Sequence, residues 1–173
     1  MSVLDLAKRE NLPCCTFTAL ALLEADGAEI TSIDDGPRAR GLEWWKDANV
    51  WDPTRPWSAL DAAREITGAA DLRVQEVLHT APPLRAGRWH LVQRWRNLDP
   101  GETAEFGDDL VKPGQSTGHT YLAHLADDGV CRIVQSSVNL GYRDTTGTWT
   151  GSAGLTGYAV GVVYLPEGWS WGG

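Results

Sequence analysis

Residues 14–25 constrain the fold more than any other part of the chain, because they are apolar almost all the way round a helix. Phe17 and Leu20 are among the large side chains in this segment. A helix without a polar face is buried on most sides. Pro13 suits its start, since the N–H that proline lacks is not needed there, and Gly27 suits its end. The other elements must therefore pack around this helix.

Beyond this helix, the chain predicts helices first and antiparallel strands afterwards. Ser58 suits the cap of a helix over residues 59–66, and Gly68 suits its end. Residues 72–78 fit either a short helix or a strand. The pattern predicts strands over residues 89–95, 119–125, 130–136 and 159–165, a short helix around 42–46, and loops over 98–115 and 137–158. This order predicts an α+β fold, with the buried helix packed on an antiparallel meander of about four to six strands.

Composition and charge exclude several classes of function. The 173 residues are 42% hydrophobic and 22% charged, which predicts a single domain over residues 1–173. A net charge of -8 argues against a nucleic-acid partner, which requires a basic face. We expect the clustered basic residues to lie on the surface: Arg85, Arg88, Arg94 and Arg96.

No apolar run reaches the roughly 20 residues of a membrane span, so none is expected. The first nine residues lack the pattern of a secretory signal, which predicts a chain that is cytoplasmic as synthesised. Nothing in the sequence indicates an oligomeric state.

Two adjacent cysteines, Cys14 and Cys15, occupy the start of the buried helix. A thiol in the first turn of a helix lies at its positive end, which favours the thiolate and lowers the thiol pKa. The third cysteine, Cys131, falls in a predicted strand, and neighbouring cysteines rarely bond to each other. This pattern predicts a thiol kept for chemistry, not a disulfide framework. No metal-ligand spacing joins the cysteines to a histidine, so we expect no metal or other cofactor.

His119 opens a predicted strand and is the candidate proton carrier for one of these thiols. A turn over residues 127–129 would place Ser137 opposite His119 and Gln135 one step away on the diagonal. A shift of one residue would place Ser136 there instead. A polar side chain at this point can hold the far imidazole nitrogen and so orient the ring towards the thiol.

Alternation along residues 130–136 places Cys131, Ile133 and Gln135 on one face of the strand. Because Cys131 and Ile133 form the more apolar set, we expect this face to pack on the buried helix. Gln135 would then lie on the inner face, beside His119.

These pieces, in this order, resemble the papain-like cysteine hydrolases of bacterial cell walls, namely the CHAP amidohydrolase/peptidase and NlpC-like families. The matching segments are Cys14-Cys15-Thr16-Phe17, residues 82–89, Gly118-His119-Thr120-Tyr121 and Ile133-Val134-Gln135-Ser136-Ser137. CHAP domains often carry Glu and, two residues on, Asn in the third strand. This chain has Gln135 and Ser137 at those positions.

The resemblance implies a papain-like fold in which a cysteine attacks an amide carbonyl, His119 transfers the proton, and Gln135 orients His119. The resemblance does not decide whether Cys14 or Cys15 is the nucleophile. NlpC-like helices place a large apolar residue three after the nucleophile, as Phe17 stands to Cys14, whereas CHAP helices often read Cys-Thr-aromatic, as Cys15 to Phe17 do.

The implied substrate is an amide or peptide bond of peptidoglycan. Such a chain would reach the wall by lysis, in a phage particle or through a secretion machine, as a phage lysin or a delivered toxin. One alternative is a phage-like protein of hydrolase fold that has a binding or structural role and does not hydrolyse a substrate. Another is a cytosolic cysteine hydrolase that acts on a small amide or a protein isopeptide.

Overall fold

A computed structural model describes residues 1–32, 58–69, 72–75, 83–97, 116–149 and 159–172. The helix expected around residues 42–46 and the loop expected over 98–115 lie outside these ranges. The described helices are α1 (Val3–Arg9), α2 (Cys14–Ala25) and α3 (Ser58–Thr67). The described strands are β1 (Leu72–Gln75), β2 (Trp89–Asn97), β3 (Ser116–Leu125), β4 (Cys131–Gln135), β5 (Arg143–Gly147) and β6 (Ala159–Tyr164).

The predicted buried helix is confirmed as α2, which begins directly after Pro13. All of residues 17–23 are buried. The Phe17 ring packs edge-on against Tyr142 and Trp171, with ring centroids 5.8 and 5.4 Å away. Through these contacts, Trp171 near the end of the sequence packs in the core. In the described ranges, no helix is long and apolar enough to cross a membrane.

The two shorter helices are held against α2 and the sheet by specific polar contacts. Ser2 and Asp5 form a capping box at the start of α1, and the Val3 N–H donates to Glu24 of α2 at 2.9 Å. The start of α3 is capped from the sheet, because Oε1 of Gln93 accepts the Ala59 N–H at 3.1 Å. A helix start leaves several N–H groups without partners inside the helix, and a neighbouring side chain can satisfy them.

The strands form one antiparallel sheet in the order β1-β6-β2-β3-β4-β5, so the predicted α+β class is confirmed. The expected meander holds from β2 to β5, whereas β6 returns to pair with the other side of β2. Strand β5 was not predicted, since its Gly- and Thr-rich sequence indicated a loop. Pairing with β4 orders it, as in Ile133 opposite Thr145.

The expectation that Cys131, Ile133 and Gln135 lie on the face that meets the buried helix is wrong. The core around α2 takes Leu91, Leu122 and Val134 from the sheet, which lie on the opposite face from Cys131. Cys131 belongs to a second apolar cluster on the other side of the sheet. Apolar side chains are buried on both faces, so alternation within one short strand could not decide which face meets the helices.

Replacing Leu122 with alanine tests the helix-facing core. Leu122 is 0% exposed in this core, so we expect Leu122→Ala to lower the free energy of unfolding by about 2–5 kcal/mol. The control is Leu140→Ala, at a side chain that is 42% exposed, with an expected change within about 0.5 kcal/mol. Urea unfolding followed by tryptophan fluorescence measures both, and equal losses would contradict the assignment.

Candidate active site

The turn between β3 and β4 sets which residues meet across these two strands. The Ala126 N–H donates to the Val130 carbonyl at 2.9 Å, which closes the predicted turn over residues 127–129, and Gly129 takes a φ of 86° there. Leu125 pairs with Cys131 and Leu122 with Val134. The prediction that Gln135 lies near His119 depended on this register.

His119 and Gln135 are brought together as predicted. Nε2 of His119 lies 2.7 Å from Oε1 of Gln135. An amide oxygen only accepts hydrogen bonds, so Nε2 carries the proton and donates it. In the neutral ring, Nδ1 is therefore the basic nitrogen, and it is buried without a hydrogen-bond partner. Gln135 thus fixes one tautomer of His119 and leaves Nδ1 as a proton acceptor.

The other two candidates for this role point elsewhere. The Ser136 hydroxyl donates to the Leu12 carbonyl at 2.9 Å, just before α2. The Ser137 hydroxyl accepts the Leu140 N–H at 3.1 Å. Of the three polar residues considered from the sequence, Gln135 is the one that is hydrogen-bonded to His119.

His119 is held in its neutral form. Its side chain is only 1% exposed, and burial disfavours the charged imidazolium. Burial first, and then the positive charges of Arg94 and Arg143, lower the pKa of His119 to about 3, although the hydrogen bond that His119 donates to Gln135 acts in the opposite direction. His119 at neutral pH is accordingly a base and not a member of a preformed ion pair.

Arg94 was expected on the surface, but it is only 8% exposed and lies directly opposite His119 on β2. Arg143 lies directly opposite Gln135 on the unpredicted strand β5. The signal for Arg94 was available in the sequence, because it alternates with His90 and Val92 on a strand that pairs with β3. Arg143 could not be placed without β5.

Both adjacent cysteines lie in the first turn of α2 with 0% exposure. A hydrogen bond from the Cys14 side chain, assisted by the backbone and side chain of Thr16, lowers the pKa of the Cys15 thiol even though burial raises it. Cys15 packs within the apolar core, whereas Cys14 lies outside both apolar clusters. The third thiol, Cys131, has a pKa raised by burial and is a poor nucleophile.

No hydrogen bond joins His119 to either thiol, because Nδ1 has no partner and Nε2 is held by Gln135. The body of α2 packs on the face of the sheet that carries Leu122. Because side chains alternate along β3, His119 lies on the other face. The helix nevertheless begins near the end of β4, where Ser136 contacts Leu12. The thiols and the imidazole therefore lie towards the same end of the sheet, and no hydrogen bond joins them.

His90 is a second buried histidine, and both of its ring nitrogens have partners. Nδ1 lies 3.1 Å from the Ala123 carbonyl, and Nε2 accepts the Arg85 N–H at 3.0 Å. Burial is the main reason that the pKa of His90 falls to about 4. Because both nitrogens are occupied, His90 is a structural residue that fixes the turn before β2.

Comparisons with known proteins do not add an identity. No protein-family model, no curated protein and no solved structure matches the chain. Within the part of the chain that the structure describes, no group of three or more His, Cys, Asp or Glu side chains could hold a metal ion. The papain-like resemblance stays a prediction from the residues quoted above.

The two buried histidines predict a pH dependence of stability. Their folded-state pKa values, about 4 and about 3, lie below the ordinary histidine pKa of about 6.5, so the unfolded chain binds more protons between these limits. The stability that depends on neutral rings is present above pH 6.5. It falls as the pH drops towards 4, by roughly 1.4 kcal/mol per pH unit for each histidine.

Urea unfolding between pH 7 and pH 4.5 measures this slope. We expect His90→Gln and His119→Gln each to reduce the slope of unfolding free energy against pH by roughly 1.4 kcal/mol per pH unit, which is the contribution of one proton. The control is Leu140→Ala, at an exposed position, which removes no titratable group and should leave the slope unchanged. An unaltered slope in His119→Gln would contradict the neutral state of His119.

Proposed function

We propose that this chain is a cysteine hydrolase that cleaves an amide or peptide bond. The observation that carries the proposal is the state of His119: Gln135 holds Nε2 at 2.7 Å, and the basic Nδ1 is left without a partner beside the end of the sheet where α2 begins. A general base for a thiol requires this combination of a fixed tautomer and an available nitrogen.

Cys14 is the proposed nucleophile. Cys15 is enclosed in the apolar core, whereas Cys14 belongs to neither apolar cluster. A first-turn position places the thiolate near the backbone N–H groups of the helix start, which stabilise negative charge. The hydrogen bond from Cys14 lowers the pKa of the Cys15 thiol, so Cys15 is the competing candidate that the variants below test.

In the proposed reaction, Nδ1 of His119 takes the proton of the Cys14 thiol, and the thiolate attacks the amide carbonyl. Backbone N–H groups at the start of α2 stabilise the oxyanion. The protonated His119 returns the proton to the departing amine, which leaves an acyl-enzyme. Water then attacks this thioester, with His119 accepting its proton. The C–S bond breaks, the acid is released, and His119 returns the proton to the Cys14 thiolate. Gln135 is a positioning residue throughout.

The thiol and the imidazole must come within hydrogen-bond reach when substrate binds. Catalytic hydrogen bonds are often long or poorly aligned in free enzymes and tighten in the substrate complex. In keeping with the papain-like resemblance, the proposed substrate is peptidoglycan, reached through lysis, a phage particle or a secretion machine.

Digestion of purified peptidoglycan sacculi and of a protein isopeptide, followed by mass spectrometry of the products, tests the reaction. Both Cys14→Ser and His119→Ala are expected to lose at least about 10³-fold in kcat/KM. His124→Ala is the matched control, since His124 is on the same strand but the opposite face, and it should retain activity. Loss in Cys15→Ser with full activity in Cys14→Ser would reassign the nucleophile.

A second candidate, a hydrolase-fold protein that binds without cutting, is favoured by one observation. Both first-turn thiols are 0% exposed, His119 is 1% exposed, and the thiols make no hydrogen bond to the imidazole. If this candidate is correct, wild type releases no products from sacculi. The double variant Cys14→Ser/Cys15→Ser then binds sacculi as tightly as wild type does in a sedimentation assay.

A further inference from the structure

The helix α2 packs on β3 and runs along it from one end of the sheet to the other. At the start of the helix, the Leu12 carbonyl accepts the Ser136 hydroxyl, which follows the end of β4. At the other end, Ala25 lines a cavity together with Trp169. The Trp169 ring packs edge-on against Trp89, which pairs with the end of β3. Since β3 and β4 are antiparallel, the first turn of α2 lies towards the start of β3.

Thr120 is the residue in this part of β3 that belongs to the helix-facing side. Side chains alternate along a strand, and Leu122, two residues further on, lies in the core around α2. Thr120 therefore shares the side of Leu122, whereas its neighbour His119 lies on the other side. On β2, Thr120 is directly opposite Gln93, which caps the start of α3. The starts of α2 and α3 are thus both on the side to which Thr120 belongs.

The register on the other side of β3 brings Thr120 close to the residue that holds the start of α2. Leu122 pairs with Val134 of β4. Two residues further in each strand, this register leads to Thr120 and Ser136. Adjacent strands are about 5 Å apart, so Thr120 is one strand spacing from Ser136, whose hydroxyl binds the Leu12 carbonyl just before α2.

The Thr120 hydroxyl has no hydrogen-bond partner, although its side chain is completely buried. Withdrawing a hydroxyl from water without a replacement hydrogen bond costs free energy. Two other buried hydroxyls near the start of α2 do have partners. Ser136 donates to Leu12 at 2.9 Å, and Thr18 donates to the Cys14 carbonyl at 3.0 Å. Thr120 therefore holds a donor that the resting protein does not use.

The adjacent thiols at the start of α2 supply an acceptor once one of them ionises. A neutral thiol accepts hydrogen bonds weakly, whereas hydrogen bonds to a charged group are strong. Cys14 and Cys15 are hydrogen-bonded to each other, so the charge belongs to the pair. Among the described residues, the pKa of Cys15 is shifted by hydrogen bonds from Cys14, Thr16 and the backbone and by burial, not by a charged side chain. Tyr142 reaches the same helix through Phe17, and burial raises its pKa, so it is neutral at pH 7.

We propose that the Thr120 hydroxyl donates a hydrogen bond to the thiolate that forms on the Cys14–Cys15 pair. A hydrogen bond that is made to the charged form favours that form. When the pair loses a proton, to His119 in the reaction or to water in a titration, the free donor of Thr120 gains its acceptor. The inference rests on the proposed hydrolase function for its role in the reaction, but the hydrogen bond itself does not require substrate.

Ionisation of each thiol is followed by ¹³C NMR of the full chain, with cysteine labelled with ¹³C at Cβ. This readout needs no reagent to reach a buried sulfur. The variants Cys14→Ser and Cys15→Ser assign the signals. We expect Thr120→Val to raise the first ionisation midpoint of the pair by at least about one pH unit. Thr120→Ser keeps the hydroxyl and should restore the wild-type midpoint. In an active hydrolase, the same shift lowers kcat/KM about tenfold at a pH below the midpoint.

Two controls separate this effect from a general change in the protein. Cys131 lies in the apolar cluster on the other face of the sheet, so its midpoint should be the same in Thr120→Val. Thr145→Val makes the same chemical change at an exposed position on β5 and should leave all three midpoints unchanged.

Thermal unfolding at pH 6, where the thiols are neutral, tests whether the hydroxyl lacks a partner at rest. Because Thr120→Val removes a buried hydroxyl that makes no hydrogen bond, we expect it to raise Tm by about 2–4 °C. A rise in Tm also shows that the shifted thiol midpoint does not come from damage to the fold. A fall in Tm would overturn the inference, since the hydroxyl would then have a partner in the resting protein.

Three further outcomes would overturn the inference: an unchanged midpoint of the pair in Thr120→Val, an equal shift of Cys131, or a shift in Thr120→Ser as large as in Thr120→Val. A shifted midpoint in a protein that cleaves no amide bond would refute the hydrolase and keep the hydrogen bond. Hydrolysis by a protein whose midpoint does not depend on Thr120 would do the reverse.

Discussion

Burial of α2 on nearly all sides is the constraint on which the rest of the described structure depends. A 12-residue helix with no polar face has to be covered by several elements at once. One side of the sheet, α1, α3 and the aromatic residues at the end of the chain supply that cover. Since the two cysteines are the first residues of this helix, the same requirement withdraws them from solvent and sets them at the end of the sheet where β4 finishes.

The sheet therefore has two faces with different roles. One is occupied by the helices and holds Leu122 and Val134, while the other combines an apolar cluster with the hydrogen-bonded pair of His119 and Gln135. Placing an imidazole in a buried position beside two guanidiniums keeps it neutral, and a hydrogen bond to an amide oxygen selects its tautomer. The chemistry available to His119 is thus determined by its neighbours across the strands rather than by any residue near it in the chain.

Much of the local structure could be predicted because it depends on local physics. The ends of α2 follow from Pro13 and Gly27, and those of α3 follow within one residue from Ser58 and Gly68. The contact between His119 and Gln135 was also predictable, since a three-residue turn fixes the register of the two strands that it joins. Strand β5 was not, because its Gly- and Thr-rich sequence becomes extended only through pairing with β4.

The sequence by itself determined the buried helix with its two leading thiols, the α+β order and the pairing of His119 with Gln135. Each of these depends on the periodicity of neighbouring residues or on a short turn. Only the tertiary structure decided which face of the sheet meets the helices, and so placed His119 on the face away from the body of α2. It also brought Arg94 and Arg143 beside His119. Both outcomes depend on strand pairings between distant segments, whose free energy is set by packing and desolvation and leaves no local pattern in the chain.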